Sequence, residues 1–329
     1  MQPDAQLPFA LADVAEIAEN TSQWQARWQP QVRSIDTYRV IDQPTLTMAI
    51  IAFKSKAFLI DAVRCARACP VPPGHRVEVV VADCGGIDEL RPELNTLCDR
   101  IFTLTPGIAV NPARNTILAF AAGDLVALLD DDGEVELPWV QNVLPHFDDP
   151  RTLALRGKIV FKNHRYFTAL ARHYDRGPVV VDDSLAVEGN IVVRRGAYYR
   201  SGGMVSDFWG GEGSWLSYAL IKAFPGGRVL YAPDVVMRHD FHQTWGHFMR
   251  KSMSFAGMLE QIAASYPNSD EFLAYLRQEW ERAMPTGTQR LDERLARIGL
   301  LALRQMLRGL AKFKRRIQRV DRESRSLRQ

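Results

Sequence analysis

Cysteine is scarce: Cys65, Cys69, Cys84 and Cys98 are the only four in 329 residues. That is too few for a disulfide framework, and no CxxC pair marks a zinc site, so reduced thiols in a cytoplasmic protein are expected. Long apolar runs are missing as well; nothing approaches the ~18–20 consecutive apolar residues that cross a bilayer. Met1-Gln2-Pro3-Asp4 has neither the basic nor the apolar region of a secretory signal, so none is expected. The sequence has no internal repeat, no low-complexity tract and no GxxxxGK[ST] phosphate loop. Charge of one sign is barely in excess, with 41 Lys and Arg against 38 Asp and Glu. What is present is ordinary: 47% apolar and 24% charged residues exclude disorder, collagen and a mini-protein scaffold. At about 150 residues per domain, the length implies two domains or one large α/β domain with appendages.

The small net charge hides an uneven distribution. From Arg290 to Gln329 there are thirteen Lys or Arg against four Asp or Glu, a net of +9 on a mildly acidic body. In the same segment Leu295, Ile298, Leu301, Leu303, Met306, Leu307, Leu310, Phe313 and Ile317 recur at intervals near three and four. This is a basic amphipathic helix of the kind that lies on anionic lipid. A helix packed on the body with a solvated charged face is the alternative. No nucleic-acid module is recognisable, so nucleic acid is not an expected partner.

Within the first 44 residues, Asn20-Thr21-Ser22 is expected to cap a short helix, with Trp24 and Trp28 sharing one packing face. Leu46–Ile51, Val77–Ala82 and Leu125–Leu129 read as buried strands, Arg100–Leu104 as extended, and Val235–Arg238 as a further strand. Phe58–Cys69, Leu90–Leu97 and Pro112–Ala122 read as helices, the last with Pro112 near its first position. Strands apolar on both faces that alternate with helices indicate a largely parallel sheet covered on both sides.

Asp130-Asp131-Asp132 follows the apolar strand directly. Ligands of open α/β sheets bind outside the carboxyl ends of the strands. Three carboxylates there repel one another, and a divalent cation with oxygen ligands, Mg²⁺ or Mn²⁺, relieves the repulsion. Extended backbone sends Asp130 and Asp132 to one side and Asp131 to the other. A solvated acidic turn is the alternative.

The neighbouring segments extend the pattern. Val80–Asp88 (VVADCGGID) resembles the "VVDDGSxD" segment of glycosyltransferase family 2, Ala113-Arg114-Asn115 its "ARN" signature, and Leu128–Asp132 its "FLDDD" metal motif. Glu188–Arg195 resembles "GxNxxxRR", Gly202-Gly203-Met204 with Trp209–Glu212 resembles "GGF…WGGED", and Tyr231–His239 resembles the closing "YxPxxxxxH". Order and spacing hold from about Thr47 to His239. The resemblance implies an α/β protein of GT-A fold: a Rossmann-like, mostly parallel central sheet flanked by helices, with a C-terminal helical extension. Its divisions would be an N-terminal extension over 1–44, a GT-A domain over 45–245 and a helical region with the basic tail over 246–329. Within the GT-A domain the nucleotide half would cover about 45–132 and the acceptor half about 133–245. It also implies inverting transfer from a UDP- or GDP-sugar to a glycan or lipid-linked acceptor. That reaction fits surface polysaccharide synthesis in the cytoplasm or on the inner face of the membrane.

Roles follow from the same resemblance and from the chemistry. Asp83 is expected to bind the base or ribose, with Ala52 and Phe53 on the same rim where the family has Thr and Tyr. Arg114 would approach the nucleotide or tie down the acidic cluster. Asp130 would meet a ribose hydroxyl or a metal-bound water, while Asp132 and the remote His239 ligate the metal, with His242 and His247 close by in sequence as alternatives to His239. The acceptor side would use Asn190 and Trp209, the latter stacking on a sugar ring. The family's usual base, the second acid of "GGED", is Gly213 here, which leaves Glu212 as the base, buried against Trp209 and Trp215, with Asp207 as the fallback. A catalytically silent GT-A binding module and a nucleotidyltransferase on a similar sheet are the alternatives.

Overall fold

The computed structural model describes residues 14–53, 56–170, 174–186, 189–205, 211–254, 269–282 and 290–326. Its strands are β1 (Val32–Thr37), β2 (Leu46–Ala52), β3 (Val77–Asp83), β4 (Arg100–Leu104), β5 (Leu125–Asp130), β6 (Glu134–Val135), β7 (Thr152–Val160), β8 (Val181–Asp182), β9 (Asn190–Arg194) and β10 (Arg228–Arg238). The helices are α1 (Val14–Trp28), α2 (Lys56–Arg67), α3 (Arg91–Leu97), α4 (Val110–Phe120), α5 (Trp139–Val143), α6 (Arg165–Thr168), α7 (Arg195–Ser201), α8 (Glu212–Ala223), α9 (Trp245–Ser254), α10 (Ser269–Arg282) and α11 (Leu291–Ser326).

All strands lie in one sheet, in the order β1-β4-β3-β2-β5-β9-β7-β10-β6, with β8 paired to β10. The middle four, β4-β3-β2-β5, run parallel, as their two-sided apolar sequences imply. Every residue of β2 is buried. A buried polar cluster pins this register. Glu78 accepts from the Thr47 hydroxyl at 2.9 Å and from Arg100 Nε at 2.6 Å, while Thr47 Oγ1 accepts from the Gly123 N–H. The outer pairs, β1 with β4 and β5 with β9, are antiparallel. The chain leaves β2 towards β3 on one side and reaches β5 on the other, so the switch of direction in this doubly wound sheet falls between β2 and β5.

Several local expectations change. The Asn20-Thr21-Ser22 segment caps nothing, because α1 already runs from Val14. Its tryptophans do form a packing face: Trp24 stacks on Tyr199 of α7 at 5.0 Å, and both Trp24 and Trp28 are buried. β1 has no apolar run to announce it; it exists because the edge of β4 is free to accept it. Helix α4 starts at Val110, two residues before Pro112, so Pro112 is its third residue rather than its first. The four cysteines are unbridged, and burial lifts the Cys84 thiol to about 12 and those of Cys69 and Cys98 to about 11.

The chain forms two compact units. The first takes residues up to 159 and 175–239 and contains the sheet. The second takes 160–174 and everything from 240 onward. In the second unit Phe167, Leu170, Phe248 and Leu300 make a small core, backed by Phe241, Leu301, Leu303 and Leu307. The single apolar face expected for the tail is therefore two: Leu301, Leu303 and Leu307 pack inward, while Leu295, Ile298, Met306, Leu310 and Phe313 are exposed. Ile317 has no described side chain.

Candidate active site

Three strand pairings gather the acidic residues. Asp130 ends β5, level with Ile51 of β2, at the switch point. After Asp132 and Gly133 the chain forms the two-residue β6, whose partners are Met237 and Arg238 at the end of β10. That pairing brings His239 across from the acidic turn. His239 Nε2 lies 3.1 Å from Asp132 Oδ1 and 3.9 Å from Asp130 Oδ2. One ligand atom from each of Asp130, Asp132 and His239 falls within 4.8 Å of the others. Two carboxylates and an imidazole, all only partly exposed, are a donor set that fits a divalent ion of the manganese type.

Asp131 faces the other way, as alternation requires, and its carboxylate accepts the Phe53 N–H at 2.8 Å. This bond ties the end of β2 to the turn after β5. Phe53 is half-buried against the core, and Ala52 is fully buried, its carbonyl accepting from the Cys84 N–H. Arg114, on α4, points a guanidinium nitrogen at Asp130 Oδ1 from 3.6 Å and is itself buried. It therefore meets the acidic cluster. Asp83 ends β3 beside Ala52. Its two oxygens accept from the Gly85 N–H at 2.8 Å and from Arg91 Nη2 at 2.9 Å, so it makes the Asx turn and keeps lone pairs for a ligand.

Asn190 is a correction. It is fully buried, donates to the carbonyls of Lys158 and Val235, and accepts from Trp139 Nε1 at 3.0 Å. With its amide occupied inside the sheet it has no edge to offer an acceptor. Its neighbour Gly189 matters more to the site. A Cβ there would lie 2.1 Å from Asp130 Oδ2, so only glycine lets the start of β9 pass behind that carboxylate. Asn115 packs at the crossing of α4 and α7, accepting from the Tyr198 hydroxyl at 2.5 Å and donating to Met204 O at 2.8 Å.

Glu212 is the first residue of α8, 5% exposed, after Gly211 in the left-handed region at φ 98°. The helix thus begins at Glu212 itself. Asp207 and Trp209 lie outside the described residues. Arg91 and Lys56 are additions. Arg91 bridges Asp83 and Asp36, and the Lys56 ammonium closes on Gly86, where a side chain would collide with it. Arg91 has no local sequence signal, because its pairing depends on where the ends of β1 and β3 meet. The second unit has a groove of about 620 Å³ lined by Phe167, Trp245 and Leu300; the carboxylate and imidazole set found among the described residues is not in its lining, so the chemistry is assigned to that set.

A family model described as glycosyl transferase family 2 matches residues 47–219. Among curated proteins the chain is similar to the pre-mycofactocin glycosyltransferases of two Mycobacterium tuberculosis strains, 28% identical over 167 residues. The match takes 47% of this chain and 35% of those relatives, so the chain spans about a third of their length. Among solved structures it is similar to mannosyltransferase PcManGT from Pyrobaculum calidifontis, in complex with GDP-Man and Mn²⁺. There the TM-score is 0.52 and the identity 16%, over 92% of this chain and 93% of that one. It is also similar to residues 1–349 of S. aureus TarS, with TM-score 0.51 and 13% identity over 78% and 79% of the two chains. GalNAc-T7 with UDP, GalNAc and Mn²⁺ gives TM-score 0.50 and 16% identity over 73% and 55%. At these identities the likeness establishes the fold, which is the expected GT-A arrangement.

Proposed function

The chain belongs to glycosyl transferase family 2, and from that premise we propose that it transfers a sugar, with inversion, from a nucleoside-diphosphate donor to an acceptor hydroxyl. One observation carries the reading: Asp130, Asp132 and His239 converge at the carboxyl end of the sheet's switch point. A departing diphosphate gains negative charge, and these residues would hold a divalent cation that would supply the counter-charge. The imidazole favours Mn²⁺ over Mg²⁺. Structural neighbours solved with GDP-Man and Mn²⁺, or with UDP, GalNAc and Mn²⁺, support a GDP- or UDP-sugar donor.

The protein's own groups do the rest. Asp83, fixed by Arg91 and Gly85, accepts from a base N–H or a ribose hydroxyl, with Phe53 on the same rim and the fully buried Ala52 behind it. Arg114 holds Asp130 in place within the set it forms with Asp132 and His239. Glu212 takes the acceptor's proton as the hydroxyl oxygen bonds to the anomeric carbon, and the bond from that carbon to the diphosphate breaks on the opposite face. Asp207 is the alternative base and Trp209 the stacking platform for an acceptor sugar. The acceptor is a glycan or a lipid-linked glycan, in surface polysaccharide synthesis. The free thiols fit a cytoplasmic site, against the inner face of the membrane.

The test is Glu212→Gln, assayed by transfer and hydrolysis over a panel of UDP- and GDP-sugars with Mn²⁺. The expected result is kcat lower by about 10²–10⁴-fold with donor affinity unchanged. Full turnover in the variant removes Glu212 from the mechanism. A wild type that binds a donor and never consumes it makes the chain a silent binding module.

A further inference from the structure

Helix α11 turns apolar side chains both ways. Leu300, Leu303 and Leu307 go into the small core with Phe167 and Phe248. On the other side Leu291, Leu295, Ile298, Met306, Leu310 and Phe313 are 72, 61, 65, 56, 56 and 63% exposed. Steps of three, four and eight residues keep them in one row, about 33 Å long at ~1.5 Å rise per residue. The remaining exposed positions between 291 and 313 are mostly small or neutral: Gly299, Ala302, Gln305 and Gly309, with Arg294 and Lys312 as the cations. Arginines that a solvated helix would send outward lie on the inner flank instead. Arg304 sits 5.5 Å from the Phe241 ring, and burial, with Arg308 beside it, lowers its pKa to about 10. The packed face thus satisfies the fold, and a second, larger apolar face remains in water, where it gains nothing from burial.

We propose that this outer face of α11 docks on an anionic lipid bilayer. The apolar row would enter the acyl boundary, and Arg294 and Lys312 along its edge would meet lipid phosphates. Charge selects this occupant. Residues 290–329 carry a net +9, so a second copy laid along the same row sets two such charges side by side, whereas an anionic surface neutralises them. A nucleic acid would seek cations, and here the exposed row is leucine, isoleucine, methionine and phenylalanine. Docking in the plane of the interface requires no spanning segment, and no helix among the described residues is long and apolar enough to cross a membrane. The inference is independent of the donor reading, because lipid binding is measured without nucleotide or acceptor.

The experiment is co-sedimentation of the full chain with vesicles of phosphatidylcholine alone or mixed with phosphatidylglycerol. The protein is expected to pellet with the phosphatidylglycerol vesicles, less so in added salt, and to stay in solution with phosphatidylcholine alone. Ile298→Ser with Leu310→Ser should weaken partition about tenfold or more. Both positions are exposed, so circular dichroism and the melting curve should match wild type. If the double variant melts early, a Met306→Cys protein labelled with an environment-sensitive dye in a Cys65→Ser background replaces it. A blue shift on phosphatidylglycerol vesicles supports docking, and an unchanged spectrum overturns it. The proposal also fails if wild type ignores the anionic vesicles or if the folded double variant binds them as well as wild type does. It fails equally if the row instead mediates a dimer in sedimentation velocity that the variant abolishes.

Discussion

Asp132→Asn tests the metal assignment most directly. The substitution keeps the shape of the side chain and its distance to His239 but removes one of the two carboxylates in the set. A nucleoside diphosphate with Mn²⁺ at a hundred times its Kd stabilises wild type by about 2.7 kcal/mol. For a unit of this size each kcal/mol moves Tm by about 2–4 °C, so the expected shift is about 5–10 °C. Losing an outer partner of a metal ligand costs about 10–100-fold in affinity, and losing a ligand costs at least the upper end of that. At the same concentrations the variant is then near half-saturation, worth about 0.4 kcal/mol and a shift of about 1–2 °C. The assay is a thermal-shift titration of UDP and GDP with Mn²⁺ or with chelator. Asp131→Asn is the control: its carboxylate holds the Phe53 N–H on the other side of the strand, so most of the manganese-dependent shift should persist. A full shift in Asp132→Asn, or an equal wild-type shift with chelator, refutes the assignment.

Two further predictions separate scaffold from site. Asn190→Leu should lower Tm by about 6–12 °C. It leaves the Trp139 N–H and the carbonyls of Lys158 and Val235 unpaired inside the sheet, at about 1 kcal/mol or more each. A change in acceptor KM at unchanged Tm would return Asn190 to the acceptor site. Asp240 is an acid-sensitive element of the second unit. Its burial alone would raise its pKa, but the N–H groups of His164, Asn163 and Lys162 outweigh that and hold it below the usual carboxylate range. The stability it contributes is therefore present above the ordinary value near pH ~4 and is lost as pH falls through the lower, folded-state value. Asp240→Asn should cost about 1–2 kcal/mol at neutral pH and flatten the acid limb of the unfolding curve measured against pH; an unaltered acid limb would show that this carboxylate does not govern it.

Much of this protein is written locally. The two-sided apolar runs of β2, β3 and β5 could only be central strands, because a residue pointing either way from them meets a helix layer. The opposite facing of Asp131 and its two neighbours follows from the period of extended backbone, and the structure keeps it. The ordered motifs from Thr47 to His239 carried the family and its fold. Other features were not local. β1 forms because β4 offers an edge; Asn190 points inward because β9 is sandwiched between β5 and β7; and Gly189 is required only because Asp130 lies behind it. The meeting of His239 with Asp132 depends on a two-residue strand pairing with another about a hundred positions later. The tail shows the same divide: helical spacing showed that α11 has apolar faces, while only the packing of Phe167 and Phe248 decided which of them is covered. Periodicity and propensity act over a few residues and so can be read from them, whereas register and burial are set by partners that folding alone brings into contact.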